Sequence, residues 1–403
     1  MVFRTLRYRN FRIFFFGQSI SLIGTWIQHI AMSWLVYRIT NSPFMLGLVG
    51  FSSQIPAFIL SPFAGVLADR HNRHRILLLT QTLAMLQAFM IAGLAITGNI
   101  KVWQIIIMGI FLGCVNSLEI PARHSFILEM IEEKEGLGNA IALNSMMFNI
   151  ARLIGPSIAC ILIALTGEGV CFLINGISYF AVIGSLLAMK ISNRKGKTKH
   201  DSVIKDLKDG FNYAFGFLPI RAVLFLLGIV SLLGMSYAVL MPVFARDILH
   251  GGPQTLGFLM GAVGIGSLAG TIYLAARSRV IMLGNILPLS AGMFGLSIIV
   301  FSFSHNLLVS LAVLFFAGFG LMVQMASSNT ILQTIVDDDK RGRIMSFYTM
   351  AFMGMAPLGS LLAGALASKI GVLHTLVISG AFCIIAAIIF AFRIPALKRN
   401  LTL

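Results

Sequence analysis

Charge is what this chain has least of. Asp, Glu, Lys and Arg make up 11% of its 403 residues, where soluble domains carry about 25%. Acid is scarcer still, 14 residues against 30 Lys and Arg. So few charges cannot solvate a surface of this size, which excludes a soluble enzyme or binding module. Cysteine is limited to positions 114, 160, 171 and 383, all in apolar segments. No pair has metal-ligand spacing or is placed for a disulfide, so the four read as small packing residues. No H-E-x-x-H, G-x-S-x-G or paired intramembrane Asp occurs, which argues against a membrane-embedded enzyme. No soluble signalling domain is present, as a sensor would carry. Nothing calls for a cofactor or a metal.

Apolar runs fill the space that charge leaves. Hydrophobic residues reach 58%, in runs mostly above the roughly 20 residues that cross a bilayer as a helix. Twelve spans are expected, at 11–37, 43–68, 76–97, 103–130, 138–165, 168–189, 219–245, 254–276, 282–304, 306–334, 344–369 and 372–393. The fold class is therefore an all-α membrane protein. The N-terminus, MVFRTLRYRNFRIFFFGQS, reads as a basic tail entering the first span, because the apolar run is too long and too polar-studded for a cleaved signal.

The bases fix the sidedness. With both termini cytoplasmic, the tails, inner loops and inner span ends hold 24 of the 30 Lys and Arg, the outer loops and outer span ends hold only Arg38, Lys101, Arg246 and Lys369, and Arg123 and Arg152 lie inside spans. The net charge of +16 thus marks the cytoplasmic face and meets anionic lipid, not nucleic acid. The longest hydrophilic stretch, Lys190–Gly210, divides the spans six and six. The expected organisation is a bundle at 1–189, a cytoplasmic linker at 190–218 and a second bundle at 219–403, with Val203–Phe217 able to form an amphipathic surface helix.

The halves look related. ILEMIEEKEGLGNA at 127–140 parallels ILQTIVDDDKRGRI at 331–344, an offset of 204 residues. The same offset takes Arg73 and Arg75 to Arg277 and Arg279, Phe148 to Phe352, Gly155 to Gly359, Ala159 to Ala363 and Gly167 to Gly371.

Between the second and third spans stands GVLADRHNRHR, Gly65–Arg75. Positive-inside bias explains its bases but not its acid, Asp69. The loop resembles the signature loop of the major facilitator superfamily: a Gly, three residues, Asp, a base, then Gly and further bases. Asn72 stands where that Gly is usual, and as the next most tolerant residue of left-handed backbone it is expected to keep the turn. His71 and His74 read as solvated loop residues. The resemblance implies a cytoplasmic latch of Gly65, Asp69, Arg70 and Arg73 with Arg341 and Arg343 before the eleventh span. NSMMFNIARLIGPSIAC in span five resembles the superfamily's exporter motif, with Gly155 and Pro156 expected to allow a bend and close packing with the opposite half. Nearly the whole chain, including PARHSFI and RGRIMSFYTMAFMGMAPLGSLLAG, resembles the branch of enterobactin exporters and macrolide efflux proteins, also called transmembrane secretion effectors.

That resemblance implies two pseudo-symmetric six-helix bundles with a pathway between them and a monomer in the bacterial inner membrane. The implied activity is secondary active export of a small amphipathic molecule, such as a siderophore or a macrolide, by alternating access and proton antiport. A lysophospholipid transporter of the same fold is the alternative. The superfamily's cavity helices are the first, fourth, seventh and tenth. They supply Gln18, Ser21, Thr25, Gln28 and His29; Asn116, Glu119 and Arg123; Ser231, Met235 and Tyr237; and Met322, Gln324, Met325, Ser328 and Asn329. Span five adds Arg152. Ionisable groups in hydrocarbon are functional candidates because burying them is expensive. Glu119 is thus the first candidate for proton coupling and Asp69 the second, while a permanent brace of Glu119, Arg123 and Arg152 is the competing role.

Overall fold

The computed structural model describes residues 4–130, 137–189, 213–276, 280–336 and 340–392. The chain divides into two compact units. The first comprises Met1–Asn41, Ser52–Thr198 and Gly252–Gly257; the second comprises Ser42–Phe51, Lys199–Gly251 and Phe258–Leu403. The unit boundary therefore runs through two helices as well as the linker. The linker itself and most of Val203–Phe217 lie outside the described residues.

A short 3₁₀ turn, Arg4–Arg7, leads into α1 (Arg9–Thr40), α2 (Pro43–Arg70), α3 (Arg73–Ile96), α4 (Val102–Glu129), α5 (Leu137–Thr166) and α6 (Glu168–Leu187). The seventh span is assembled from α7 (Leu218–Ile229), a π-turn (Val230–Gly234), α8 (Tyr237–Val243) and a second π-turn (Phe244–Ile248). Then come α9 (Pro253–Ala275), α10 (Val280–Ser302) and α11 (Leu307–Ile335). The eleventh span joins α12 (Arg341–Thr349), a π-turn (Met350–Gly354) and α13 (Met355–Ile370), and α14 (Val372–Ala391) ends the series. Among the described residues there is no strand, as expected where lipid leaves each backbone group to find its partner within its own helix. Among the described residues, eleven helical segments are long and apolar enough to cross a membrane. The twelfth, α1, has the length at 32 residues but carries Gln18, Ser19, Ser21, Thr25, Gln28 and His29 through its middle.

The 204-residue offset holds in three dimensions. It carries α5 onto Arg341–Ile370 and α6 onto α14, end to end. Gly167 and Gly371, each the single residue between two spans, have φ of 84° and 85°, a backbone region that a Cβ disfavours. Packing partners repeat as well: α3 lies on α4 and α6 as α10 lies on α11 and α14. The first unit's core gathers Phe11, Phe14, Leu77, Phe126 and Leu186, with Phe14 and Phe126 edge to face at 6.1 Å. In the second unit Phe244 and Phe301 approach to 4.4 Å. The outer surface stays apolar, with Leu165, Leu308 and Phe392 at least three-quarters exposed, as a lipid-facing surface should be.

Two local expectations change. Asn72 is not left-handed: its φ is −67° and its side chain accepts from Arg75 N at 3.2 Å, making it the N-cap of α3. An extended Asn whose side-chain oxygen accepts from the first turn serves a helix start as well as a left-handed one serves a turn. His74 is not a solvated loop residue. It lies in the first turn of α3, and its Nε2 donates to Leu186 O at 2.8 Å, a carbonyl at the end of α6 that also accepts from Met189 N at 3.3 Å.

Close helix contacts use missing Cβ atoms. A methyl on Gly318 would overlap the Val263 carbonyl, whereas one on Gly228 would meet nothing within 4 Å. Gly318→Leu should therefore lower the melting temperature in detergent, by about 1–3 kcal/mol of stability from overpacking. Gly228→Ala should hold or raise it, since Ala favours a helix interior by about 1 kcal/mol. Thermal unfolding of the two purified variants checks the contrast.

Candidate functional site

Pro121 breaks the hydrogen-bond ladder of α4, because its nitrogen cannot donate to the Ser117 carbonyl. Glu119 and Arg123 sit on either side of it, one turn apart. Arg123 Nε lies 2.8 Å from Glu119 Oε1, and the two residues are 4% and 8% exposed. Three further helices close around the pair. From α3, Gln81 Nε2 donates to Glu119 Oε1 at 3.4 Å. From α5, the Phe148 ring lies under the Arg123 guanidinium at 4.6 Å, a cation–π contact that strengthens where water is excluded. From α6, Tyr179 is buried in the same core cluster as Ala122 and Phe126 of α4.

The satisfaction of this site is incomplete. Among the described residues, Arg123 Nε is near the carboxylate but not aligned for a hydrogen bond, Nη1 donates to nothing, and the buried Oε1 atoms of Gln18 and Gln81 accept nothing. Buried donors and acceptors left open are costly, and guanidinium donors of this kind suit an anionic or carbonyl oxygen.

Beside it runs a second, better satisfied network. Gln28 Nε2 donates to Gln87 Oε1 at 3.1 Å, Asn175 Nδ2 donates to Gln28 Oε1 at 2.8 Å, and Ser178 Oγ donates to Asn175 Oδ1 at 3.3 Å. It ties α1, α3 and α6 together. The polar stripe of α1 is thus divided: Gln18, Ser21 and Gln28 are buried, while Thr25 and His29 are exposed, with His29 stacked on Trp26 at 5.9 Å. Asn116 and Arg152 are half-buried. The Gly155–Pro156 stretch has neighbours on two sides. A Cβ on Gly155 would overlap Trp26 of α1, and Pro156 and Cys160 meet Gly257.

In the second unit, Ser231 Oγ donates to Phe352 O, linking the π-turn of the seventh span to that of the eleventh. A π-turn leaves a carbonyl outside the regular ladder, and the serine covers it. Tyr237 is buried edge-on to Phe294 at 5.8 Å. Gln324 and Ser328 are fully buried, with Gln324 Nε2 donating to Ser328 Oγ at 3.4 Å and Gln324 Oε1 unpaired. Met235, Met322, Met325 and Asn329 are half-buried, and Asn329 Oδ1 accepts from Gln333 at 2.7 Å.

For the loop 65–75, the backbone of Gly65, Asp69 and Arg70 belongs to α2, but their side chains lie outside the described set. Arg73, Arg341 and Arg343 all have partners. Sequence reading missed one ion pair. Arg38, at the end of α1, forks onto Glu168 at the start of α6, with Nε–Oε1 at 2.7 Å and Nη2–Oε2 at 3.0 Å. The signal was available: Glu168 is an acid directly after a turn glycine, at the same end of the spans as Arg38.

Comparison with known proteins places these features in context. The profile of the family described as transmembrane secretion effector matches residues 2–402. The staphyloferrin A transporter of Staphylococcus aureus is 28% identical over 96% of this chain and 97% of its own. Macrolide efflux protein A of Streptococcus pyogenes is 22% identical, covering 95% and 96%. The multidrug efflux pump Tap of Mycolicibacterium fortuitum is 23% identical, covering 93% of each. Among solved structures, an inward-facing, unoccupied bacterial homologue of the human lysosomal transporter Spinster superposes with a TM-score of 0.73 at 13% identity, over 98% of each chain. A POT family transporter in complex with a thioalcohol-conjugated peptide reaches 0.75 at 12%, over 96% of each. At these identities the structural likeness concerns the fold.

The ion pair on α4 carries its own prediction. Glu119→Leu strands a buried guanidinium and should cost about 3–5 kcal/mol. Adding Arg123→Met removes the stranded charge and should recover most of that loss. Thermal unfolding of both purified variants in detergent measures the recovery.

Proposed function

The chain belongs to the transmembrane secretion effector family of the major facilitator superfamily, and from that premise we propose that it exports a small amphipathic molecule by alternating access, with Glu119 as the coupling group. The carrying observation is the buried, incompletely satisfied Glu119–Arg123 pair. A driving ion can act only through a group whose occupancy biases one state over the other, and an acid inside the membrane is expensive to keep without such a use. Antiport requires proton and cargo to exclude one another. A cargo whose donors take the Glu119 carboxylate competes with the proton there, while Arg123 and Arg152 suit an anionic or polar head. The names of the relatives, which speak of a siderophore, macrolides and multiple drugs, support a siderophore or lipophilic drug as the cargo class.

The remaining parts of the proposal rest on the sequence. The Lys and Arg bias supports cytoplasmic termini, and the bacterial relatives support an inner membrane. The protein acts as a monomer among membrane lipids. Asp69, Arg70, Arg73, Arg341 and Arg343 keep the latch role that the resemblance gives them, with Asp69 as the second proton candidate. The cavity role of Gln18, Ser21, Thr25, Gln28, His29, Asn116, Ser231, Met235, Tyr237, Met322, Gln324, Met325 and Asn329 is likewise part of this reading.

Transport in proteoliposomes under an imposed pH gradient tests it, with siderophore, macrolide and lysophospholipid panels. Wild type should move a member of the first two panels in response to the gradient. Glu119→Gln should lose the gradient-driven part of the flux while keeping binding. Full proton-coupled flux in that variant would refute the coupling assignment. Asp69→Asn should change the distribution of inward- and outward-open states, read by accessibility labelling; an unchanged distribution rejects the latch.

A further inference from the structure

On the membrane-facing side of the first unit, α1 and α6 leave a groove of about 460 Å³ between them. Small residues form its floor: Gly17 on α1, Ala181 and Gly184 on α6, and Ala188 just past the end of α6. Phe16 and Ile20, each more than half exposed, form one wall. The hydroxyl proton of Ser185 goes to Val182 O at 2.7 Å, so the trench places little polar demand on an occupant. Arg12 closes one end. Its guanidinium is exposed and makes no ion pair or hydrogen bond among the described residues.

The dimensions match a lipid. Arg12 and Ile20 are separated by about 12 Å along the helix, at 1.5 Å per residue, and one leaflet of hydrocarbon is about 15 Å deep. A trench of apolar wall running one leaflet inward from a single unpaired cation has the layout of an acyl chain joined to a phosphate. We propose that this groove binds one phospholipid of the surrounding bilayer, with an acyl chain laid against Gly184 and an anionic headgroup on Arg12. A headgroup carrying its own ammonium would oppose the guanidinium, so phosphatidylglycerol fits better than phosphatidylcholine. This site lies apart from the Glu119–Arg123 pair and does not rest on the export reading.

Gly184 allows a clean test. A Cβ there meets nothing within 4 Å, so Gly184→Leu fills the trench without disturbing the helix contact. By contrast, a Cβ on neighbouring Gly17 would press on the Ala181 carbonyl and on Ser185. The purified full-length protein is titrated with phosphatidylglycerol, phosphatidylcholine or soluble glycerol phosphate, and bound lipid is counted by native mass spectrometry. Wild type should retain at least one more phosphatidylglycerol than Gly184→Leu. Arg12→Gln should bind that lipid about fivefold more weakly, the value of one surface cation, while Arg12→Lys should keep most of the preference. Glycerol phosphate, lacking a chain, should not compete. Equal lipid counts in wild type and Gly184→Leu would overturn the site. Unchanged headgroup preference in Arg12→Gln, or full competition by glycerol phosphate, would overturn the assignment of its occupant.

Discussion

Helices in lipid gain little from hiding apolar side chains from one another, because the surrounding acyl chains are as apolar as leucine. What holds them is contact distance, and contact distance is set by small residues. Gly318 against Val263, Gly359 against Leu232 and the facing pair Gly47–Gly364 bring backbones closer than any Cβ would allow. The polar chemistry of the first unit depends on the same condition. A methyl on Gly24 would collide with Ser178 Oγ and press on Asn175 Oδ1, and so displace the Asn175 side chain whose Nδ2 donates to Gln28 of α1. Without that approach the bridge from α6 through Gln28 to Gln87 of α3 would not close.

The two halves share a backbone plan but not a polar plan. By the 204-residue offset, the counterparts of Glu119, Arg123 and Arg152 are Val323, Ser327 and Ala356. Ser327 is fully buried, and its hydroxyl is unpaired. The first unit concentrates charge on one proline-interrupted helix. The second concentrates backbone irregularity instead, with π-turns at Val230–Gly234, Phe244–Ile248 and Met350–Gly354. At the positions corresponding to the first and last of these turns, α1 and α5 are regular helix. Charge that can be made or broken and backbone that can repack are the two devices from which switching elements are built, and here they are divided between the halves.

Much of this was legible in sequence. Each of the twelve expected spans has a helical counterpart, with ends shifted by a few residues. The offset that matched ILEM to ILQT also matched Gly167 to Gly371, down to their positive φ. Glu119 and Arg123 could be paired in advance because i, i+4 spacing on a helix determines adjacency. Contacts reaching across helices were hidden. Gln81, Phe148 and Tyr179 complete the surroundings of the pair from three other helices, and nothing local distinguishes them from other glutamines and aromatics. The burial of the α1 face was hidden for a related reason. Its polar stripe follows one helical period, but Gln28 is buried against Asn175 while Thr25 and His29 stay exposed, a choice made by neighbours.

By itself the sequence determined that this chain crosses a membrane twelve times in two related halves, because hydrocarbon thickness and the cost of burying charge act on each segment separately. Tertiary structure alone decided which polar groups are satisfied and which are left open: the free donors of Arg123, the Arg38–Glu168 fork across 130 residues of sequence and the lipid-facing trench under Arg12. Those depend on where one helix backbone lies against another. That distance is a property of pairs of helices, and no single segment encodes it.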